Sequence, residues 1–385
     1  MNKEKRRVII CGWFFYPRGG AISNYVQYLG KALQRENYEV EIWSSLNYEY
    51  PLVDGGMYDD FLVYDIQPHH RFSLLRRLMD GKMYHAYFRH RLRQFHLNEN
   101  DVVIISPSFK GMDVLMQEKR RIGFKTVGIP LEWFGREQYD NEIAAYKGEL
   151  RFRRNREHDL LFPISYHIRE QFPDTPCLVL PCMTDTEVVS VQAKKIEKYS
   201  FIFPANGMMK DALQEMLFGL GSLTEEELNG IEFHLLGITQ EKLDSILNDT
   251  MRKKLSCVLI RHDWMKYNEL ANLYNKMHFL FLAREINQMT RSNFPSKVPE
   301  AMTYGVVPVV SRVGDYTKYY LKDGENSLIF DGCNALVCAK AIRRALALSY
   351  AEYEDLSRGA RNSAEELFDY RQWSKRIYDY IENMF

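Results

Sequence analysis

The sequence predicts an α/β protein with two doubly wound parallel sheets, one in each half of the chain. Three observations support this prediction. Short apolar runs alternate with helical stretches along almost the whole length, and a glycine turn follows the first run. The alternation occurs as two successive series, which indicates two sheets. The length of 385 residues also exceeds what one hydrophobic core usually accommodates.

The first series begins with an apolar run that predicts a buried strand at Val8–Phe15. A glycine turn at 18–20 follows, then a helix from Ser23 to Gln34 and a strand at Tyr38–Ser44. This order predicts a βαβ unit, in which the helix connects two parallel strands. Further strands of this half are predicted at Phe61–Asp65, Asp101–Ser106, Lys125–Pro130, Asp159–Ser165 and Cys177–Pro181.

The second series repeats the alternation after a polar stretch at 185–199, which we interpret as a linker. Its strands are predicted at Phe201–Pro204, Glu232–Leu236, Cys257–Arg261, Phe279–Leu282, Val306–Val310 and Ser327–Phe330. Helices are expected from Asp211, Gln240 and Asn268, and at Ala335–Ala347 and Tyr370–Phe385. We therefore expect domains at 1–190 and 198–360, and a C-terminal helix within 361–385 that packs back toward the first domain.

The composition is that of a globular protein, with 46% apolar and 26% charged residues. The formal net charge is zero, which provides no overall attraction to nucleic acid. Six cysteines are scattered without C-x-x-C spacing, and this favours reduced thiols in a cytoplasm. No apolar run reaches the roughly 18–20 residues of a membrane span. We therefore expect a cytoplasmic protein.

Residues 294–311 are the most informative segment of the chain. Pro295 and Pro299 favour the start of a short helix, because a proline in the first helical turn presets φ and loses no hydrogen bond. The helix is expected to end at Gly305, a residue suited to a left-handed cap. The apolar run Val306–Val310 then predicts a strand that is buried on both faces.

The charges of this segment predict the type of ligand. Lys297 lies at the helix start, where unpaired N–H groups favour an anion. Glu300 is close enough to accept hydrogen bonds from hydroxyl groups of the molecule that carries the anion. A phosphate beside a ribose meets both conditions. The alternative is that Lys297 is solvated and that Glu300 caps its own helix.

The sequence pattern of this segment is Pro-Ser-Lys, a glutamate, a short helix, a glycine and a Pro-Val-Val strand. This pattern resembles the C-terminal signature of retaining glycosyltransferases of the GT-B fold. The likeness is to the family-4 enzymes that build bacterial polysaccharides, and it extends over nearly the whole chain. It implies two Rossmann-like domains that face each other across a cleft. It also implies transfer of a sugar from a UDP- or GDP-sugar to a glycan, lipid-linked in a cell-surface pathway, with no further cofactor.

The resemblance implies that cationic side chains hold the donor diphosphate and that Glu300 binds the ribose. Lys297 and Lys210 match the family's lysines, but Met208 stands where the family has an arginine. We expect Arg284 to supply the missing charge. The alternative is that Lys210 and Arg284 are solvated surface cations.

Further donor contacts are implied for three loops. Ser292 stands where family members have the glutamate that contacts the transferred sugar, so the nucleotide half of the pocket is better supported than the sugar half. Asn287, Thr290 and Ser292 could bind a sugar hydroxyl, although such residues also simply make turns. The remaining donor-side residues are Gly19, Gly20, Gly207, Arg261, His262 and Ser296.

Glu132 occupies the place where some family members carry a histidine after the fifth strand. It would orient the acceptor, or it would only cap the next element. No Asp-x-Asp and no His-Glu-x-x-His motif occurs in the sequence, which favours transfer without a metal ion. Fixed cations and helix N–H groups can stabilise the leaving diphosphate instead.

A basic stretch between His69 and His96 contains seven Arg or Lys residues and one acid, Asp80, with aromatic residues interleaved. Such a surface can bind anionic lipid, and we expect peripheral attachment to the inner face of the cell membrane. The alternative is a solvated helix face. No recognised nucleic-acid motif accompanies it.

Two other functions remain open on the sequence. One is a sugar-nucleotide epimerase on the same fold. The other is a catalytically silent GT-B protein that serves as a partner or scaffold, an interpretation motivated by Met208 and Ser292.

Overall fold

The structure, a computed structural model, describes residues 5–17, 20–46, 54–68, 83–107, 109–187, 189, 194, 197–204, 210–265 and 267–385. The chain divides into two compact units. The first unit comprises Met1–Met183 and Tyr370–Phe385, and the second comprises Thr184–Asp369. The domain assignment made from the sequence (1–190, 198–360 and 361–385) stays a prediction beside this division.

The first unit contains a sheet of seven strands. These are β1 (Arg7–Tyr16), β2 (Glu39–Leu46), β3 (Gly56–Tyr58), β4 (Phe61–Asp65), β5 (Val102–Ile105), β6 (Lys125–Gly128) and β7 (Leu160–Leu161). Their order is β3-β4-β2-β1-β5-β6-β7, and only the β3–β4 pair is antiparallel. The strand order reverses between β1 and β5, as in a doubly wound sheet.

Helices connect the parallel strands of this sheet. They are α1 (Ala21–Arg35), α2 (Tyr84–Gln94), α3 (Met112–Ile122), α4 (Glu142–Arg153) and the single turn α5 (Tyr166–Arg169). The strands β1 and β5 are almost completely buried, since helices cover both faces of the sheet. Their near-continuous apolar sequences follow from this burial.

The second unit contains a sheet of six parallel strands. These are β8 (Tyr199–Pro204), β9 (Ile231–Leu236), β10 (Leu259–His262), β11 (Phe279–Leu282), β12 (Val307–Ser311) and β13 (Leu328–Phe330). Their order is β10-β9-β8-β11-β12-β13. The order reverses between β8 and β11, so the carboxyl ends of these two strands form the switch point of the sheet.

Nine α-helices belong to the part of the second unit that the structure describes. They are α6 (Leu213–Gly221), α7 (Glu225–Asn229), α8 (Gln240–Ile246), α9 (Asp249–Leu255), α10 (Tyr267–Tyr274), α11 (Gln288–Ser292), α12 (Lys297–Thr303), α13 (Ala335–Leu346) and α14 (Tyr350–Ser363). Stacked phenylalanines from adjacent strands fill the core, and the rings of Phe201 and Phe279 lie 4.9 Å apart.

The last helix, α15 (Tyr370–Glu382), belongs to the first unit. Its Tyr370 ring stacks on Tyr28 of α1, with centroids 6.2 Å apart. At its other end, the Glu382 carboxylate accepts a hydrogen bond of 2.8 Å from the Tyr38 hydroxyl. The helix is therefore held at both ends by residues from the start of the chain.

Two doubly wound parallel sheets confirm the predicted fold class. Two predicted strands of the first unit differ most from the structure. The strand predicted at Asp159–Ser165 is only two residues long, and the one predicted at Cys177–Pro181 forms a single bridge from Cys177 to Leu161. Pro163 has no N–H to donate, which limits regular pairing here. The sequence also missed β3, a short edge strand of three residues.

Candidate functional site

The candidate site lies at the switch point of the second sheet. Lys210 follows β8, and Arg284 follows β11. The helix α12 lies in the connection from β11 to β12. Since ligands of doubly wound proteins bind outside the carboxyl ends of the strands at this point, the fold brings the predicted donor residues of this unit to one edge of the sheet.

The helix α12 forms where the proline pattern predicted it. It begins at Lys297, and Pro299 lies in its first turn. It ends before Gly305, whose φ of 64° is left-handed and favours glycine. The Gly305 and Val306 N–H groups donate to the carbonyls of Met302 and Ala301, which completes the C-terminal cap.

The start of α12 offers fewer backbone donors than the sequence suggested. The Val298 N–H donates to the Pro295 carbonyl at 3.0 Å, and Pro299 has no N–H. The Glu300 N–H donates to the Ser296 carbonyl at 3.3 Å. Any anion at this helix start therefore depends mainly on side chains.

The side chains of Lys297 and Glu300 lie one helical turn apart and are both half-buried. Across the described ranges of the chain, no hydrogen-bond or ion-pair partner contacts either group. Burial raises the pKa of Glu300 to about 7, although Lys297 opposes the shift. Charged groups held in this way, without a protein partner, are typical of ligand sites.

The ammonium group of Lys297 lies among four other charges. Burial lowers its pKa to about 8, and Arg284 and Lys210 contribute in the same direction. Asp211 and Glu300 act in the opposite direction. The site thus contains three cations and two carboxylates, an excess of positive charge that suits an anion.

Arg284, expected to contact the diphosphate, is only 4% exposed. Its Nε donates to Asp211 Oδ1 at 2.8 Å, and its Nη1 donates to Asn293 Oδ1 at 3.0 Å. Its backbone N–H donates to the Ser311 hydroxyl at 2.8 Å. The guanidinium therefore lies behind the site surface with protein partners, and its direct contact with a ligand stays a prediction.

The residues expected to bind the transferred sugar make hydrogen bonds within the protein instead. The buried Ser292 hydroxyl donates to the Met289 carbonyl at 3.1 Å. Asn287 caps α11 through a hydrogen bond of 2.9 Å from the Thr290 N–H. The Thr290 hydroxyl donates to the Glu285 carbonyl at 2.5 Å. These contacts match the turn-making alternative, and a role in sugar binding stays a prediction.

Arg261 and His262 lie at the end of β10, as expected for residues after that strand. Arg261 is exposed and pairs with Asp263. His262 Nε2 lies 2.8 Å from Nδ1 of His234 on the adjacent strand, and the two rings stack. Burial lowers the pKa of both imidazoles. His234 could not be predicted from the sequence, because its contact with His262 depends on the pairing of β9 with β10.

The residues predicted in the first unit are only partly described. Gly20 precedes α1 with a φ of 95°, and a Cβ there would meet nothing within 4 Å, so its backbone conformation alone favours glycine. Glu132 follows β6 and is half-buried. Gly19 lies outside the described residues, and so do Gly207 and Met208 of the second unit.

The basic stretch is described only from Met83 onward, and residues 69–82 lie outside the described ranges. Arg91 pairs with Asp54 at 2.8 Å, and Arg89 donates to Gln117 at 2.6 Å. These two cations therefore have intramolecular partners. Among the residues described, no helix is long and apolar enough to cross a membrane, and no three potential ligands cluster for a metal ion.

Residues 200–363 match the family of glycosyl transferases group 1. The match covers most of the second unit and includes the whole candidate site. The second unit therefore carries the sequence pattern of the group 1 glycosyl transferases. The resemblance noted in the sequence is thereby confirmed at the level of group 1, and the family-4 assignment stays a prediction. No curated protein sequence matches the chain.

Solved structures match the chain over its full length. Sucrose-phosphate synthase from Thermosynechococcus elongatus is 13% identical with a TM-score of 0.75, and 99% of each chain is covered. The pneumococcal O-GlcNAc transferase GtfA, solved with UDP and GlcNAc, is 12% identical with a TM-score of 0.69 and 99% of each chain covered. HepE of Anabaena, solved with UDP-glucose, is 11% identical with a TM-score of 0.70, over 98% of this chain and 99% of that one. These similarities show the GT-B fold.

Two features of the second unit have no counterpart in the sequence predictions. Asp211 and Asn293 form the partners of Arg284, although they lie 73 and 9 residues from it. The buried Tyr316 hydroxyl lies near this group and has no hydrogen-bond partner within the described chain. Only the loop positions of Asp211 and Asn293 could have drawn attention to them.

Proposed function

We propose that the protein is a glycosyltransferase that transfers a sugar from a nucleoside diphosphate donor to a glycan acceptor. One observation supports this most strongly. Lys297 and Glu300 lie at the switch point with opposite charges, and neither has a partner among the residues that the structure describes. A nucleoside diphosphate supplies the partner of each, since a phosphate pairs with the ammonium group and ribose hydroxyls donate to the carboxylate.

The leaving group accounts for the surplus of cations. When the glycosidic bond breaks, the nucleoside diphosphate departs with its negative charge, and fixed cations in a water-poor site stabilise that charge. Lys297 and Lys210 would provide this stabilisation. We favour UDP or GDP as the nucleotide, and the UDP in the structures of HepE and GtfA supports the first of these.

The stereochemistry and the metal requirement are also proposals. The likeness to retaining enzymes favours retention of configuration, in which the departing phosphate accepts the proton of the acceptor hydroxyl. The lack of an Asp-x-Asp sequence favours transfer without a metal ion. A reaction that proceeds in excess EDTA, with retention followed by NMR of the product, would support both.

The acceptor is proposed to be a lipid-linked glycan of a cell-surface polysaccharide, with Glu132 orienting its hydroxyl group. The basic stretch between His69 and His96 would then bind the anionic inner face of the membrane from the cytoplasm. Sedimentation with anionic vesicles at low salt tests this surface. Binding that is equal with neutral vesicles would contradict it.

The decisive experiment is calorimetric titration with UDP, GDP and ADP and with their sugars. We expect one nucleotide to bind the wild type, and Lys297→Ala to weaken it about 10- to 100-fold, as for the loss of a charge-assisted hydrogen bond. Glu300→Gln should weaken the binding of the nucleoside diphosphate but leave the affinity for inorganic pyrophosphate unchanged. Lys340→Ala is the matched control, because Lys340 is exposed on α13 of the same unit.

Product analysis distinguishes the transferase from the two alternative functions, an epimerase and a catalytically silent scaffold. Release of the nucleotide with transfer or slow hydrolysis of the sugar supports the transferase, whereas interconversion of the donor sugar indicates an epimerase. One observation favours a catalytically silent scaffold, since Ser292 replaces the expected glutamate and its hydroxyl is turned to the Met289 carbonyl. If the protein binds no nucleotide sugar, the result would support the scaffold and exclude our proposal.

A further inference from the structure

The Arg284 guanidinium joins two segments that carry the site lysines. Its partner Asp211 directly follows Lys210, and its partner Asn293 ends α11, four residues before Lys297. The Arg284 backbone is fixed as well, because its N–H donates to the Ser311 hydroxyl at the end of β12. One buried side chain thus links the loop after β8 with the approach to α12.

The Asp211 carboxylate is the reason why this link matters for an anion site. Its side chain is only 6% exposed and pairs with Arg284 at 2.8 Å. It is also close enough to Lys297 to raise the pKa of that lysine, while Arg284 lowers it. An unpaired carboxylate here would attract Lys297, which has no partner among the described residues, and it would repel a phosphate.

We propose that Arg284 is a positioning residue that keeps Asp211 from pairing with Lys297, so that Lys297 is available to the donor diphosphate. This inference rests on the proposed function for the identity of the ligand, but the competition within the protein is independent of it. Arg284 then acts through Asp211 and Asn293 and does not itself touch the phosphate. The two lysines remain the groups that do.

A direct contact and a positioning role predict different double variants. If Arg284 only neutralises Asp211, removing both side chains together restores a site in which Lys297 has no competitor. If Arg284 binds the phosphate directly, the double variant stays as weak as the single one. Replacing a buried ion pair by apolar residues is also better tolerated than removing one partner, so the double variant is expected to fold.

The experiment measures UDP or GDP affinity, whichever the wild type binds, for Arg284→Met, Asp211→Leu and the Arg284→Met/Asp211→Leu double variant. We expect Arg284→Met to weaken binding about 10- to 100-fold, the loss expected when a charge-assisted hydrogen bond to the ligand is replaced by one within the protein. The double variant should return to within about threefold of the wild type. A double variant as weak as Arg284→Met would overturn the proposal.

A second measurement does not depend on the nucleotide. The rate at which an amine reagent modifies Lys297, followed by mass spectrometry across pH, reports the apparent pKa of that ammonium group. The groups that face it are Asp211, Arg284, Glu300 and Lys210. We expect the apparent pKa to rise in Arg284→Met and to return toward the wild-type value in the double variant.

The two measurements separate the inference from the proposed function. If the wild type binds no nucleoside diphosphate, the proposed function fails, and the labelling profiles alone decide about Arg284. Unchanged profiles in a folded Arg284→Met variant would overturn the positioning role whatever the ligand. If Arg284→Met does not fold, Asp211→Asn replaces it: it removes the competing charge, and we expect nucleotide affinity equal to or above the wild type, whereas a tenfold loss would overturn the proposal.

Discussion

Replacing Glu300 by glutamine should make the unliganded protein more stable at neutral and alkaline pH. The carboxylate is half-buried and has no hydrogen-bond partner among the residues described, so its ionised form is poorly solvated in the folded chain. Burial raises its pKa from the ordinary value of 4.5 to about 7. A glutamine of the same shape carries no charge and avoids this penalty.

The sign and size of the effect follow from proton linkage. Below pH 4.5 the carboxyl group is protonated in both the folded and the unfolded chain, and the variant gains nothing. As the pH rises from 4.5 to 7, the unfolded chain ionises first and the wild type loses stability, and above pH 7 the full loss is reached. A raised pKa of this size corresponds to about 3 kcal/mol. The value is an upper limit, because the Glu300 charge also supports the nearby Lys297.

The assay is the melting temperature of wild type and Glu300→Gln at several values between pH 4.5 and 8.5, without nucleotide. For a unit of this size about 3 kcal/mol corresponds to roughly 6–12 °C, which bounds the expected gain at pH 8. Glu366→Gln, at an exposed carboxylate, controls for the loss of one negative charge. The reasoning would be refuted if Glu300→Gln had the same melting temperature as the wild type at every pH, or a lower melting temperature at pH 8.

Three further predictions concern the same unit. Nucleotide affinity should be highest between about pH 7 and 8 and should fall as the pH rises further. The reason is that burial lowers the pKa of Lys297 to about 8, so that its ammonium group loses its proton above this pH. Titrations of wild type and Lys297→Ala with nucleotide between pH 6 and 9.5 test this. Arg361→Ala should lower the free energy of unfolding by about 1–3 kcal/mol in urea titrations, because Arg361 donates to two backbone carbonyls in a half-buried position. Gly359→Ala should lower it by more than about 2 kcal/mol, since a Cβ would lie 2.0 Å from the Glu325 carbonyl oxygen. Gly230→Ala, where a Cβ has ordinary contacts, should stay close to the wild type.

The helix α12 and its flanking strand could be predicted because their signals are local. Pro299 fits the first helical turn, Gly305 fits a left-handed cap, and the run that follows is apolar enough for a buried strand. The parallel strands were predictable for the same reason. Their apolar runs are continuous, since helices cover both faces of each sheet.

The roles of the buried polar residues could not be predicted, because they depend on contacts between distant segments. Nothing in the sequence near Arg284 indicates that Asp211, in the loop after β8, is its partner. The inward orientation of Ser292 likewise follows from the short helix α11, which depends on the cap formed by Asn287. The family resemblance predicted that these residues lie in the site. Only the three-dimensional structure distinguishes the side chains at the site surface from those behind it.

The charges of the site divide into two pairs with different physical consequences. Arg284 and Asp211 pair with each other behind the site, so neither leaves an uncompensated buried charge in the folded chain. Lys297 and Glu300 have no such partners in the described part of the chain, and burial shifts the pKa of each group against its charged form. A protein gains nothing in stability from that arrangement, but a ligand that brings a phosphate and a hydroxyl group relieves both penalties when it binds. The same charges that destabilise the folded chain can therefore supply part of the affinity for a nucleoside diphosphate.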